Sequence, residues 1–163
     1  MIYLKIKDIK GNCTEEGFKD QIILDSFNHG LSLPLTSQPA NTERSVGGPQ
    51  FSEMNFSKSM DSSSPALYMA CAGAKKLGDA TISVTRTEGD KHMLLVTYVL
   101  GEAMISGVSS SGSAGSGLPQ ESFSINFTSI TSQYTKQKSD STKEGVSPFG
   151  WDLKLGKPLA PPA

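Results

Sequence analysis

From Ser122 to Thr128 the chain alternates without a break. Phe123, Ile125 and Phe127 are apolar, and Ser122, Ser124, Asn126 and Thr128 stand between and after them. A strand sends successive side chains to opposite faces, so this spacing commits the segment to a sheet with one dry and one wet face. The same period occurs near the start, where Ile2, Leu4 and Ile6 alternate with Tyr3, Lys5 and Lys7. It returns in residues 80–86, where Ile82 and Val84 alternate with Thr81, Ser83 and Thr85. Apolar runs at 21–27 and 51–58 predict two further strands, and Glu88-Gly89-Asp90 marks a hairpin turn. Ile130 is out of phase with Phe127, which predicts a bulge near Ser129.

One stretch breaks the β pattern. Ser64 followed by Pro65 suits a helix start, and Gly78 suits a helix end. Between them Leu67, Ala70, Cys71, Ala74 and Leu77 fall at helical spacing, with Lys75 and Lys76 toward the negative end of the dipole. The spacing predicts a helix over 65–77 whose small residues lie close against a sheet, with Tyr68, Ala72, Lys75 and Lys76 facing outward.

The run from His92 to Gly107 is the longest strand candidate, with a bend expected at Gly101. Between Met93 and Leu100 it is apolar on both faces apart from Thr97, so one face is expected on the core and the other on the helix or a neighbouring subunit. Residues 31–50, with Pro34, Pro39, Gly47, Gly48 and Pro49, predict a long loop, a length that is usually functional. Residues 109–117 predict a flexible Ser/Gly surface loop and 136–148 a polar excursion. A short last strand is expected at 149–155, holding the only tryptophan, and a frayed tail at 158–163. With 163 residues the chain is expected to form one domain, 1–163.

The chemistry-bearing residues are sparse. Basic and acidic residues number 15 and 16, with no basic block, so nucleic acid and anionic membranes are not expected partners. No segment reaches the roughly 20 apolar residues of a membrane helix, and the alternating N-terminus is unlike a signal peptide. Synthesis in the cytoplasm is therefore expected. His29 and His92 have no Cys or His neighbours at metal spacing, and Cys13 and Cys71 are too few for a disulfide framework. Gly115-Ser116-Gly117 lacks the strand and helix that make a nucleophile elbow. No catalytic residue, cofactor or metal is expected. Trp151 is expected to serve packing or a subunit interface, or, on a competing reading, a monomeric β-barrel's ligand site.

Four segments then carry a resemblance. The first is Ile6-Lys7-Asp8-Ile9-Lys10-Gly11, followed by Ser26-Phe27-Asn28-His29-Gly30. The second is Phe56-Ser57-Lys58-Ser59-Met60-Asp61 leading into Ser64-Pro65-Ala66-Leu67-Tyr68-Met69-Ala70-Cys71. The third is Ile105-Ser106-Gly107-Val108, then Pro119-Gln120-Glu121-Ser122-Phe123-Ser124-Ile125-Asn126-Phe127. The last is Tyr134 with Lys136-Gln137-Lys138, closed by Gly150-Trp151-Asp152. In this order and spacing the chain resembles the haemolysin-coregulated protein family, Hcp, of bacterial type VI secretion systems. It departs at Gly11-Asn12-Cys13, where the family usually has Gly-Glu-Ser, and near Asn28, where the family often has a Trp.

The resemblance implies a mainly β fold, a compact barrel of two antiparallel sheets with one flanking helix. It also implies a homohexameric ring, stacking into a tube that a contractile sheath propels behind a tip spike protein. Effector proteins ride in the lumen, and the subunit leaves the cell without a signal peptide. Within that picture the Ser- and Thr-rich strand faces suit a wet lumen. Met93, Leu95, Thr97, Val99 and Trp151 are the candidates for the subunit interface. The long loop, through Ser37, Gln38, Asn41, Thr42, Glu43 and Arg44, is the candidate for contact with the next ring.

Overall fold

The computed structural model describes residues 1–35, 47–140 and 142–162. Its strands are β1 (Ile2–Ile6), β2 (Ile22–Leu24), β3 (Ser26–Asn28), β4 (Leu31–Ser32), β5 (Gln50–Phe51) and β6 (Met54–Ser59). After helix α1 (Ser64–Ala72) come β7 (Ala80–Glu88), β8 (Lys91–Gly101), β9 (Met104–Ser111), β10 (Gln120–Asn126), β11 (Ser129–Gln137), β12 (Lys143–Asp152) and β13 (Lys157–Pro158). A seven-stranded sheet runs β13-β12-β11-β8-β7-β1-β2, and a four-stranded sheet runs β3-β6-β10-β9. The short strands β4 and β5 pair only with each other, making an arm out of the two ends of the predicted long loop.

The two large sheets share one core. Leu4, Ile82, Leu100 and Ile130 enter it from the larger sheet, and Met54, Phe56, Phe123 and Ile125 from the smaller. Each of these is essentially solvent-free, and a side chain of this kind contributes about 1.5–3 kcal/mol. Both sheets end in free edges, so the ladders do not close into one hydrogen-bonded ring. Three direct strand-to-strand crossings join them, and α1 makes a fourth connection, between β6 and β7. β2 turns into β3 at Asp25, β8 into β9 across Glu102 and Ala103, and β10 into β11 across Phe127 and Thr128.

These crossings reshape several sequence expectations. The predicted strand at 21–27 is two strands in different sheets. The bend expected at Gly101 is a crossing, where a Cβ would meet Ser129 Oγ and require that hydroxyl to turn away. The phase slip at Ile130 is a change of sheet, not a bulge near Ser129. Residues 136–148, expected as a polar excursion, belong largely to the hairpin of β11 and β12. Tyr3, expected on a wet face, is fully buried; its ring stacks on Phe18 at 4.2 Å. Its hydroxyl donates to Glu15, and burial together with that carboxylate holds it protonated well above the usual tyrosine range.

The helix is shorter than its apolar stripe. It ends at Ala72, because Gly73 closes the last turn and Ala74 adopts φ +48°. Ala74 N–H reaches Cys71 O at 3.3 Å and Lys75 N–H reaches Ala70 O at 3.0 Å, the paired bonds of a Schellman end. Lys75 and Lys76 therefore lie outside the helix, and Ala74 is exposed, not on the packed stripe. Leu77 is still buried, held by Leu77 N–H to Ala103 O at 3.0 Å in the segment leading to β7. Leu67 and Ala70 face the core, the helix packs beside β9, and Tyr68 and Ala72 are exposed as expected.

Candidate functional site

The outer face of the four-stranded sheet is built by register. Phe27, Phe56, Phe123 and Val108 point inward in one row, so their neighbours Ser26, Ser57, Ser122 and Ser109 form a row outside. Ser26 and Ser57 hydroxyls meet at 2.5 Å, and those of Ser109 and Ser122 at 2.7 Å. The next row holds Asn28, Asn55 and Ser124. Asn55 Nδ2 donates to Asn28 Oδ1 at 3.1 Å, and Ser124 Oγ meets Ser106 Oγ at 2.7 Å. At the far end the Gln120 amide meets Ser59 Oγ at 3.1 Å. None of these outward positions carries a charge or a large apolar group. Glu53 borders the face, accepting from Ser106 Oγ at 2.7 Å and from Asn126 Nδ2 at 3.2 Å. Because the hydroxyls and amides satisfy one another, this face is polar without offering a strong anchor.

The inner side of the same sheet holds a buried ionic group. Lys58 and Glu121 are cross-strand partners, and both are solvent-free. Lys58 Nζ lies 2.8 Å from Asp61 Oδ1, 3.3 Å from Glu121 Oε2 and 3.0 Å from Ser64 Oγ. Ser64 Oγ donates to Glu121 Oε2 at 2.5 Å, and Asp61 Oδ1 accepts the Ser63 N–H at 2.9 Å. Asp61 is thus the local turn former expected of it. Ser64, expected to cap the helix, instead ties its first turn to β6 and β10. These bonds offset the desolvation of the pair on the Lys58 side, while Glu121 Oε1 is enclosed without a hydrogen-bond partner.

The larger sheet extends beyond the smaller one. Its inward rows run Ala80–Leu100–Ile130–Trp151, Ile82–Tyr98–Ser132–Phe149 and Val84–Val96–Tyr134–Ser147. Burial falls along and between them: Leu100 and Ile130 are enclosed, Trp151 is half-buried, and Phe149 and Tyr134 are 41% and 51% exposed. The apolar inner face therefore continues past the core into the open. A register shift opposite Val84 and Thr85 leaves Leu95 as the extra residue of a bulge. Thr97 and Val99 consequently point to the outer face, while Met93 points inward. All four predicted interface residues of β8 are half-buried, but they do not share one face. Val96, Tyr134 and Phe149 do, and alternation along β8 alone did not reveal them.

Trp151 is engaged at the root of the arm. Its ring stacks on Phe51 at 6.5 Å, Phe51 on His29 at 6.3 Å, and His29 lies 5.8 Å from Phe127. His29 Nε2 is enclosed without a hydrogen-bond partner, and burial lowers its pKa. Beyond the root, Leu31, Leu33 and Leu35 are all about half exposed. The stacking candidates Ser37, Gln38, Asn41, Thr42, Glu43 and Arg44 lie outside the described residues. Among the described residues no three His, Cys, Asp or Glu side chains are grouped to hold a metal, and no helix is long and apolar enough to cross a membrane.

Comparison with known proteins gives one consistent result. The family described as "Type VI secretion system effector, Hcp" matches residues 3–134. Protein hcp1 of Pseudomonas aeruginosa is 27% identical over 154 residues, spanning 94% of each chain. A solved type six secretion system protein superposes with a TM-score of 0.91 at 24% identity, covering 97% of this chain and 98% of the other. Hcp1 from Salmonella typhimurium superposes with a TM-score of 0.79 at 21% identity, covering 97% of both chains.

Proposed function

The chain belongs to the Hcp family of type VI secretion tube proteins, and we propose that it acts there as the ring subunit. Six copies close into a ring, rings stack into the inner tube, and effector proteins travel in the lumen. The observation that carries this reading is the uncovered inner face of the larger sheet. Val96, Tyr134 and Phe149 continue the core's apolar rows, and among the described residues Tyr134 and Phe149 stand 51% and 41% exposed while Val96 is half-buried. An apolar face of this kind needs a partner, and a head-to-tail contact between identical subunits forms a ring when its rotation closes. Trp151, Met93 and Leu95 flank that face, whereas Thr97 and Val99 on the other side of β8 suit a second contact.

The hydroxyl face of the four-stranded sheet supports the assignment of the lumen. A surface whose hydrogen bonds are met internally holds water and slides past cargo, and the Glu53 carboxylate at its border is already engaged by Ser106 and Asn126. The arm, which carries the predicted stacking loop, is assigned to the next ring. A spike protein and a contractile sheath are the remaining partners, and export through the type VI machine is the route out of the cell. The competing reading, a monomer binding a small ligand through Trp151, is less well supported, because Trp151 stacks on Phe51.

Light scattering after size exclusion tests the ring. The expected particle is near six times the 17.3 kDa chain. A monomer at every concentration overturns the reading. Retention of a ligand that is lost in Trp151→Ala at unchanged mass would favour the competing one.

A further inference from the structure

We propose that His29 is a pH-sensitive latch: its neutral ring seats the β4–β5 arm on the body, and its protonated ring releases it. The geometry of the arm's root carries this. The arm's own strands meet at only two registered pairs, Leu31 with Phe51 and Ser32 with Gln50. At its base Gly30 N–H donates to Ser52 Oγ at 2.8 Å and Ser52 N–H to Gly30 O at 2.9 Å. These bonds hold the two sides of the arm together without holding the arm to the body. That attachment runs through the rings: Phe51 against Trp151 on β12, and His29 between Phe51 and Phe127.

His29 is the one member of that stack that can acquire a charge. Its Nε2 is shielded from water with no acceptor in reach, so an added proton would sit on an N–H that nothing receives. The ionisable groups beside its packing partners are occupied elsewhere. Glu53, two residues from Phe51, accepts from Ser106 and Asn126. Glu102, bonded to Thr128 next to Phe127, pairs with Lys154 at 2.6 Å. Asp152, next to Trp151, accepts the N–H groups of Lys154 and Leu155. Among the described residues these carboxylates are already engaged, and burial is the cause of the lowered pKa. The sign follows. The released arm, with His29 in water, binds a proton near the ordinary value of about 6.5, and the docked arm binds it only at lower pH. Docking is therefore complete above that value and weakens as the pH falls below it. Relief of the buried charge requires the ring to leave its slot, and Phe51, stacked on it, moves with it. In an assembled tube the same step would loosen whatever the arm contacts, but the latch itself belongs to the single chain.

The single tryptophan reports the event directly, since Trp151 is in the stack. Emission of the full-length protein is followed from pH 8 to pH 5. The wild type is expected to show one transition with a midpoint below about 6.5. His92→Gln, which removes the other histidine, is expected to keep that transition, and His29→Phe to abolish it at unchanged far-ultraviolet circular dichroism. A flat wild-type profile, or the same transition in His29→Phe, overturns the latch. If His29→Phe fails to fold, the imidazole signals of the wild type are followed by nuclear magnetic resonance. His29 titrating in step with the Trp151 indole supports the proposal, and His29 titrating while the indole stays still refutes it.

Discussion

Two residues show how local chemistry fixes this fold. Ala74 takes the left-handed conformation at the end of α1, where a Cβ is a burden and glycine is the usual choice. Its side chain is exposed, so nothing is lost by removing it. Ala74→Gly is expected to raise stability by about 0.5–1 kcal/mol, because the strain of a non-glycine residue there exceeds glycine's extra chain entropy. Thermal unfolding checks this, with the midpoint rising by a few degrees. Lys58 has the opposite character. Its ammonium is solvent-free and compensates Glu121 through Oε2, while Glu121 Oε1 has no hydrogen-bond partner. Lys58→Met leaves a buried carboxylate alone and is expected to cost about 3–5 kcal/mol. Adding Glu121→Leu should recover most of the loss, and denaturant midpoints of the single and double variants measure it. Helical spacing placed Ala74 on an apolar stripe that the helix does not reach, and the spacing carries no signal for the burial of Lys58.

Elements were legible where one face is wet and the other dry. The alternations in β1, β7 and β10 gave their faces directly, but the polar side is not always wet: Tyr3 is covered by Phe18 from a distant loop, and Ser83 and Thr85 are buried. Of β12 only the end from Phe149 was expected as strand, because residues 143–148 are mostly exposed on both sides and no period survives there. The bulge at Leu95 was hidden for the opposite reason, since a run that is apolar throughout keeps no phase to slip. The helix end was misplaced because Leu77 is buried by backbone bonds to Ala103, not by helical packing. On β8 the interface candidates Met93, Leu95, Thr97 and Val99 fall on more than one face, and the ladder adds Tyr134 opposite Val96 and Phe149 one strand further on. Phe149→Asp tests that face. It is expected to leave the circular dichroism of the subunit unchanged and to shift the particle from ring to monomer by light scattering.

At the scale of the whole molecule, the family resemblance and the apolar faces converge on assembly, and the arm is the next thing to test. Replacing 32–50 by a short Gly-Ser connection removes the arm's tip while leaving both large sheets intact. Rings are expected to survive in electron micrographs and stacked tubes to vanish; unchanged tubes would reassign the arm. The neutral hydroxyl face makes a further prediction. Ser57→Lys and Ser122→Lys would line the lumen with fixed positive charge at little cost to the fold, since both side chains point outward. Co-purified cargo is expected to change in amount while ring mass does not.

The three crossings between the sheets bear on mechanics. Two sheets stacked only through apolar contacts resist being pulled apart but slide easily, because dispersion has no preferred direction along the interface. Here β2 with β3, β8 with β9 and β10 with β11 each run from one sheet into the other as unbroken backbone. Shear between the layers must therefore stretch covalent chain at three separate places. A subunit built this way resists shear between its layers as a solid block, and in the proposed tube bending and compression would fall on the joints between subunits.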